Sequence, residues 1–114
     1  MKLSEISELL NGNILSCKNR LNDEVYVAFA SDLMSDVLTL HTDNLLLITG
    51  LSNIQTIRTA EMADINYILL VRNKKATPAF IKLASENNQI IIETSFSMFR
   101  VCGILYQAGI KAIY

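Results

Sequence analysis

Three groups of polar side chains, each directly after an apolar segment, are the residues of this chain with the chemistry to bind a ligand. They provide one carboxylate, one amide and four hydroxyls, namely Asp32, Ser35, Thr49, Asn53, Thr94 and Ser95. The apolar segments before them are residues 25–30, 45–48 and 89–92. In a parallel α/β sheet, strand ends that lead into helices lie along one edge, and ligands bind along that edge. The pattern therefore predicts where a site would lie, at the carboxyl edge of a sheet.

The same side chains are also the types that begin helices. Asp, Asn, Ser and Thr accept hydrogen bonds from the free N–H groups of a helix start, and for each candidate alone we favour this capping role. Thr49-Gly50-Leu51-Ser52-Asn53 is the nearest approach to a phosphate cradle. The chain has neither a Gly-x-Gly-x-x-Gly nor a Gly-Lys-Ser/Thr motif. Asp32 stays open to both interpretations, as a cap or as a contact to a ribose or an amide.

The reactive side chains of this sequence give little support for a catalytic or metal site. His41 is the one histidine, and it follows a predicted helix at the opposite sheet edge, away from any Ser or Cys nucleophile at the candidate site. One histidine and two scattered cysteines do not suit a zinc site, and no cofactor is implied. A phosphoacceptor receiver domain is rejected because Asp32 has no acidic partner and no lysine stands where the strand ends at Ile92. A phosphoryl or acyl transferase using Asp32 or Ser35 is the least favoured function.

Composition limits the class of protein. The 114 residues suit one domain over residues 1–114. Only 18% are charged and 51% are apolar, which favours a sheet buried on both faces or an oligomer interface, and we expect a homodimer. The net charge of −1 without a basic stripe argues against nucleic acid binding, and no apolar run approaches the ~20 residues of a membrane span. Cys17 and Cys102, without a secretory leader, predict free thiols in a cytoplasmic protein.

Strand and helix patterns alternate through most of the chain. Apolar spacing predicts helices that begin near Ser4, Ser31 or Asp32, Asn53, Thr77, and Ser95 or Ser97. Strands are predicted over residues 14–17, 25–30, 45–48, 65–71 and 89–92, with at most a short tail strand in 110–114. Repeated βα units imply a three-layer α/β/α domain with a mostly parallel central sheet of about five strands.

Four stretches, in this order, resemble the DRTGG domain over nearly the whole chain. They are VYVAFASDLMSDVL, NLLLITGLSN, INYILLVRNKKATPAFIKLASENNQIIIET and TSFSMFRVCGILYQAGI. Asp32, Thr49, Asn53 and Thr94 are among the best-matching positions, so the resemblance strengthens them as a group. The motif that names the family is expected near residues 22–28, where this chain has Val27-Ala28 in place of a glycine pair.

The resemblance implies a regulatory role without established catalytic residues. Domains of this family occur beside CBS domains and in phosphotransacetylase-like proteins, and the fold is similar to the N-terminal domain of HPr kinase/phosphorylase. We therefore predict a non-catalytic domain that senses a small polar ligand, a nucleotide among the candidates. Some freestanding members are associated with hydrogenase-related redox systems, so the alternative is a protein-interaction subunit of such a system.

Overall fold

Helices and strands alternate along the chain in a computed structural model that describes residues 1–114. The helices are α1 (Leu3–Leu9), α2 (Met34–Val37), α3 (Ile54–Met62), α4 (Pro78–Glu86) and α5 (Met98–Gln107). The strands are β1 (Asn13–Ile14), β2 (Val27–Ala30), β3 (Leu45–Thr49), β4 (Tyr67–Leu70), β5 (Ile90–Glu93) and β6 (Lys111–Ala112). A 3-10 turn covers Lys18–Arg20. The longest helix, α5, has 10 residues, and none of the helices has the length and apolar character to cross a membrane.

All six strands form one sheet in the order β1-β5-β4-β3-β2-β6. Every neighbouring pair is parallel except β1 with β5, which is antiparallel. The predicted mostly parallel α/β sheet is confirmed. It has six strands, where about five were predicted, because the tail adds the two-residue strand β6 beside β2.

The two faces of the sheet are covered by different helices. The chain moves steadily from β2 to β5, so right-handed crossovers place α2, α3 and α4 together on one face, where Phe80 and Ala84 pack with Ile91. Helix α5 runs back across the sheet to reach β6, so it covers the other face with α1, and Val101 and Leu105 pack there. The result is the predicted three-layer α/β/α arrangement.

Three of the predicted helix starts are confirmed by side-chain caps. The side chains of Asn53, Thr77 and Ser97 each accept a hydrogen bond from the backbone N–H three residues later. Of the two serines proposed for α5, Ser97 is therefore the cap and Ser95 is not. The amino ends of α3, α4 and α5 lie at the carboxyl edge of the sheet, because these helices follow the parallel strands β3, β4 and β5.

The caps predicted for the other two helices were wrong. Helix α1 begins at Leu3, one residue before the proposed cap Ser4, and the Glu5 side chain accepts from the backbone N–H of Lys2 (3.0 Å). Helix α2 is a single turn that begins at Met34 without a side-chain cap. Asp32 does not cap it because its carboxylate is hydrogen-bonded to the exit of β3 instead.

Candidate functional site

The carboxylate of Asp32 joins the ends of β2 and β3. Its Oδ1 accepts a hydrogen bond from the Thr49 hydroxyl (2.9 Å) and another from the Gly50 N–H (2.7 Å). The two parallel strands pair Ala30 with Ile48, so the residues that follow each strand meet at the same sheet edge. Thr49 is fully buried and Asp32 is exposed. The structure thus brings the predicted residues Asp32 and Thr49 into direct contact.

The second carboxylate oxygen of Asp32, Oδ2, has no hydrogen-bond partner within the protein. Both hydrogen bonds from protein groups go to Oδ1, and Oδ2 accepts none. A carboxylate that is oriented through one oxygen can accept hydrogen bonds from ligand hydroxyl or amino groups with the other. Ser35 lies nearby in chain order, exposed on the single turn of α2, and it makes no hydrogen bond to Asp32.

The segment from Thr49 to Asn53 forms a turn in which several polar groups are paired within the chain. Thr49 Oγ1 accepts from the Leu51 N–H (3.2 Å), and Asn53 Oδ1 accepts from the Thr56 N–H (3.2 Å). The Thr56 hydroxyl in turn donates to the Leu51 carbonyl (2.9 Å). The N–H groups of Gly50 and Leu51, which a phosphate cradle would use, are both taken. This geometry makes Asn53 the cap of α3.

Thr94 holds the end of β5 rather than facing Asp32. Its hydroxyl donates to the Leu10 carbonyl (2.7 Å) and accepts from the Phe96 N–H (3.2 Å), and the residue is buried. Strand β5 is two positions from β3, which separates their ends by about 10 Å. Ser95 is exposed and makes no hydrogen bond. The structure therefore does not group Thr94 and Ser95 with Asp32 in one cluster.

Backbone groups close the crevice between the ends of β4 and β5. Helices α4 and α5 leave these adjacent strands for opposite faces, which is the topological switch point where ligands bind in open α/β sheets. Arg72 and Asn73, both in the left-handed region (φ 60 and 58), fill it. The Arg72 N–H donates to the Phe96 carbonyl (2.7 Å) and the Asn73 N–H donates to the Thr94 carbonyl (3.0 Å). The accessible part of the carboxyl edge is therefore the β2–β3 end, next to the β4–α4 loop.

Basic side chains also lie along the carboxyl edge, and the sequence prediction left them out of the candidate site. They are Arg72, Lys74 and Lys75 on the β4–α4 loop and Arg100 in the first turn of α5. Lys75 lies 3.7 Å from the buried Glu93 carboxylate, and the Arg100 guanidinium lies 3.7 Å from the Phe96 ring centroid. The Thr77-Pro78 helix start was the available signal, because it places the preceding loop at this edge.

An apolar groove of about 280 Å³ lies beside β2, between α5 and the tail. Its lining is apolar except for Lys111, and it includes Phe29, Ala30, Ile48, Cys102, Tyr106 and Tyr114. Burial raises the pKa of the Cys102 thiol, which disfavours the reactive thiolate. No candidate polar residue lines this groove. Sequence reasoning missed it because its walls come from segments far apart in the chain.

The segment in which the family motif is expected lies at the opposite edge of the sheet. Residues 22–28 lead into β2 and form its first half. The Tyr67 hydroxyl donates to Asp23 Oδ2 (3.0 Å), and the Arg20 guanidinium pairs with the same oxygen (2.9 Å). Burial, with the hydrogen bond to Asp23 next in size, raises the pKa of Tyr67. The replacement of glycines by Val27 and Ala28 therefore lies in β2 itself, away from Asp32.

This chain is similar to a known domain family and to a solved structure. The family model of the DRTGG domain matches residues 5–108, and no curated protein matches the chain. The fold is similar to that in the crystal structure of the CBS and DRTGG domains of the regulatory region of Clostridium perfringens pyrophosphatase, complexed with its activator diadenosine tetraphosphate. The TM-score is 0.75 at 13% sequence identity, over 94% of this chain and 46% of that one. This chain thus spans about half the length of that structure. Because the family model covers nearly all of its residues, the chain belongs to the DRTGG domain family.

Proposed function

We propose that residues 1–114 form one non-catalytic regulatory domain that binds a small polar ligand at the carboxyl edge of its sheet, with nucleotides as the first class to test. The carrying observation is the exposed Asp32 carboxylate, oriented by two hydrogen bonds through Oδ1 while Oδ2 accepts none from the protein. The similar pyrophosphatase region is regulatory and was crystallised with a nucleotide activator. That likeness supports ligand sensing as the role of this fold.

The side chains around Asp32 suit a ligand that carries both hydroxyl groups and negative charge. Oδ2 can accept from a ribose hydroxyl, and the exposed Arg72 can pair with phosphate oxygens. Strands β2 and β4 are two positions apart, so the residues at their ends are separated by about 10 Å. A nucleotide can span that distance. In this proposal Thr49 positions Asp32, and Ser35 is an exposed hydroxyl at the rim.

The other candidate residues have supporting roles in this proposal. Asn53 caps α3 and Thr94 holds the turn that follows β5, because their side chains accept from the backbone N–H groups of Thr56 and Phe96. Ser95 is an exposed hydroxyl on the turn that follows β5. Ligand binding should therefore depend directly on Asp32, and on Asn53 and Thr94 only through the shape of the edge.

A binding role is favoured over a catalytic one because of what contacts Asp32. Its partners in the protein are the buried Thr49 hydroxyl and the backbone N–H of Gly50. Neither is an acid or base that could share proton transfer with Asp32 at a substrate, and both orient the carboxylate for binding. We further propose that the domain is a cytoplasmic homodimer, since only 18% of its residues are charged and both cysteines are free.

Thermal unfolding with a ligand panel tests this proposal. The panel contains adenosine and guanosine mono-, di- and triphosphates, and diadenosine tetraphosphate. A ligand at 100 times its dissociation constant stabilises the folded state by about 2.7 kcal/mol, which corresponds to roughly 10 °C in Tm for a domain of this size. We expect at least one nucleotide to raise the Tm of the wild type, and Asp32→Asn to abolish the rise.

The matched control is Asp43→Asn, which removes the same charge from an exposed position at the amino end of β3. Asp43→Asn should respond to the ligand as the wild type does. A second variant, Arg72→Asn, introduces a residue that tolerates the left-handed backbone conformation at this position. It should weaken the binding of charged ligands more than the binding of nucleosides. The proposal fails if no nucleotide shifts the Tm, or if Asp32→Asn responds fully.

A further inference from the structure

The exposed face of α5 is unusual for a surface helix. The helix carries one charged residue, Arg100, among its ten. Phe99 is 87% exposed and Tyr106 is 69% exposed, and Gly103 between them is also exposed. Spacings of four and three residues place these three side chains on one stripe of the helix. Surface helices ordinarily carry polar and charged residues on the outward face, so this stripe indicates a contact surface.

Gly103 has no partner within its own chain that requires a glycine. A Cβ atom added there would meet no atom within 4 Å. Glycine in the middle of a helix destabilises it by roughly 0.5–1 kcal/mol relative to alanine. Its usual benefit in such a place is the close approach of another backbone, and the helix does not receive that approach from this chain.

We propose that α5 packs antiparallel against α5 of a second copy of this chain, around a two-fold axis beside Gly103. This inference rests on the homodimer of the proposed function and assigns its interface. A two-fold interface must be complementary to itself. The stripe meets that condition, because the order large, small, large of Phe99, Gly103 and Tyr106 reads the same in both directions. The two glycines would face each other at the axis, and Phe99 of each helix would pack beside Tyr106 of the other.

The charge and size of this face fit the same arrangement. With the axis beside Gly103, Arg100 of each copy lies opposite position 106 of the other, an uncharged tyrosine, so the two guanidinium groups are not opposed. The groove beside β2 continues the apolar surface from Tyr106 to Tyr114, which is 87% exposed. A standard interface buries about 800 Å² per partner, about an eighth of the 6069 Å² surface of this chain. One side of a molecule measuring 32 × 27 × 24 Å is large enough.

Sedimentation equilibrium of matched variants tests the interface. Gly103→Arg places a long charged side chain on the proposed axis, at an exposed position where an added Cβ atom meets no other atom within 4 Å in the monomer. Its control is Ala79→Arg, which makes the corresponding change at an exposed position of α4 on the opposite layer. We expect a dimeric wild type, a dimeric Ala79→Arg, and a monomeric Gly103→Arg whose circular dichroism matches the wild type. The dimer dissociation constant should rise by about thirtyfold or more.

A second pair of variants keeps the test independent of the glycine. Phe99→Ser should weaken the dimer, and Met62→Ser, which removes a large apolar side chain that is 69% exposed on α3, should not. A wild type that is monomeric at all concentrations overturns the homodimer itself, and this interface with it. A dimer that persists in Gly103→Arg and Phe99→Ser overturns only the interface. Nucleotide-induced Tm shifts are scored separately, so ligand sensing can stand when the interface fails.

Discussion

Removing the Asp32 carboxylate should destabilise the domain through two specific hydrogen bonds. In Asp32→Ala, the buried Thr49 hydroxyl loses its acceptor at 2.9 Å and the Gly50 N–H loses its acceptor at 2.7 Å. Hydrogen bonds to charged groups contribute about 1.5–3 kcal/mol each. The contribution of these hydrogen bonds is smaller here because Asp32 is exposed. Solvent screens its charge, and water can take its place as the acceptor for the Gly50 N–H. We expect the free energy of unfolding to fall by about 2 kcal/mol, or roughly 8 °C in Tm.

Asp32→Asn separates the hydrogen bonds from the charge. The amide keeps an oxygen that can accept from both Thr49 and Gly50, so the loss should be under about 1 kcal/mol. Urea unfolding monitored by circular dichroism measures both variants, with an unchanged m-value showing that stability alone has changed. Asp43→Ala is the control for the loss of an exposed carboxylate.

A double-mutant cycle with Thr49→Val decides whether the Asp32–Thr49 contact is the cause. If it is, the two substitutions should be non-additive by about 1 kcal/mol, since the second removes a bond that the first has already broken. Equal losses in Asp32→Ala and Asp32→Asn, or full additivity in the cycle, would show that this reading of the β2–β3 junction is mistaken.

Three further predictions follow from contacts elsewhere in the sheet. Thr94→Val removes a buried hydroxyl that ties β5 to α1 and should cost about 1–3 kcal/mol in urea unfolding; an unchanged midpoint would contradict this. Gly12→Ala brings a Cβ to 2.9 Å from Ile92 Cγ2 and should cost about 1–3 kcal/mol by overpacking, so a stabilised variant would argue against the packing described. Because the pKa of Tyr67 is raised by burial and its bond to Asp23, its proton is held more tightly in the folded state. The resulting stability is present below pH ~10 and is lost as the pH rises through the folded pKa. Tyr67→Phe should flatten this alkaline loss, and an identical pH profile would refute the assignment.

The helix starts show which features can be predicted from local sequence. Asn53, Thr77 and Ser97 cap α3, α4 and α5 as the pattern predicts, because capping uses atoms within three residues of one another. Asp32 is also a residue type that caps helices and it also follows a strand, but its carboxylate accepts hydrogen bonds at the end of β3. Its partner is 17 residues away in the chain, and local patterns carry no information about such a partner.

In the candidate site, too, local sequence predicts some features and the tertiary structure decides others. The three polar groups after apolar segments were placed at one edge of the sheet, since parallel strands end at the same edge. Which of them meet depends on strand order, and the order β5-β4-β3-β2 separates Thr94 from Asp32. The Arg72-Asn73 turn also fills the crevice between the ends of β4 and β5. That filling depends on two residues that adopt the left-handed region without being glycine.

By itself, the sequence determined the alternation of strands and helices, the burial of the sheet on both faces, the edge at which polar side chains collect and the resemblance to the DRTGG family. These features follow from spacing, residue type and chain order. Only the tertiary structure decided that Asp32 holds Thr49 and Gly50, that the β4–β5 crevice is closed and that an apolar groove adjoins the exposed stripe of α5. Each of these features depends on contacts between distant segments, which exist only once the strand order and the crossing direction of α5 are set.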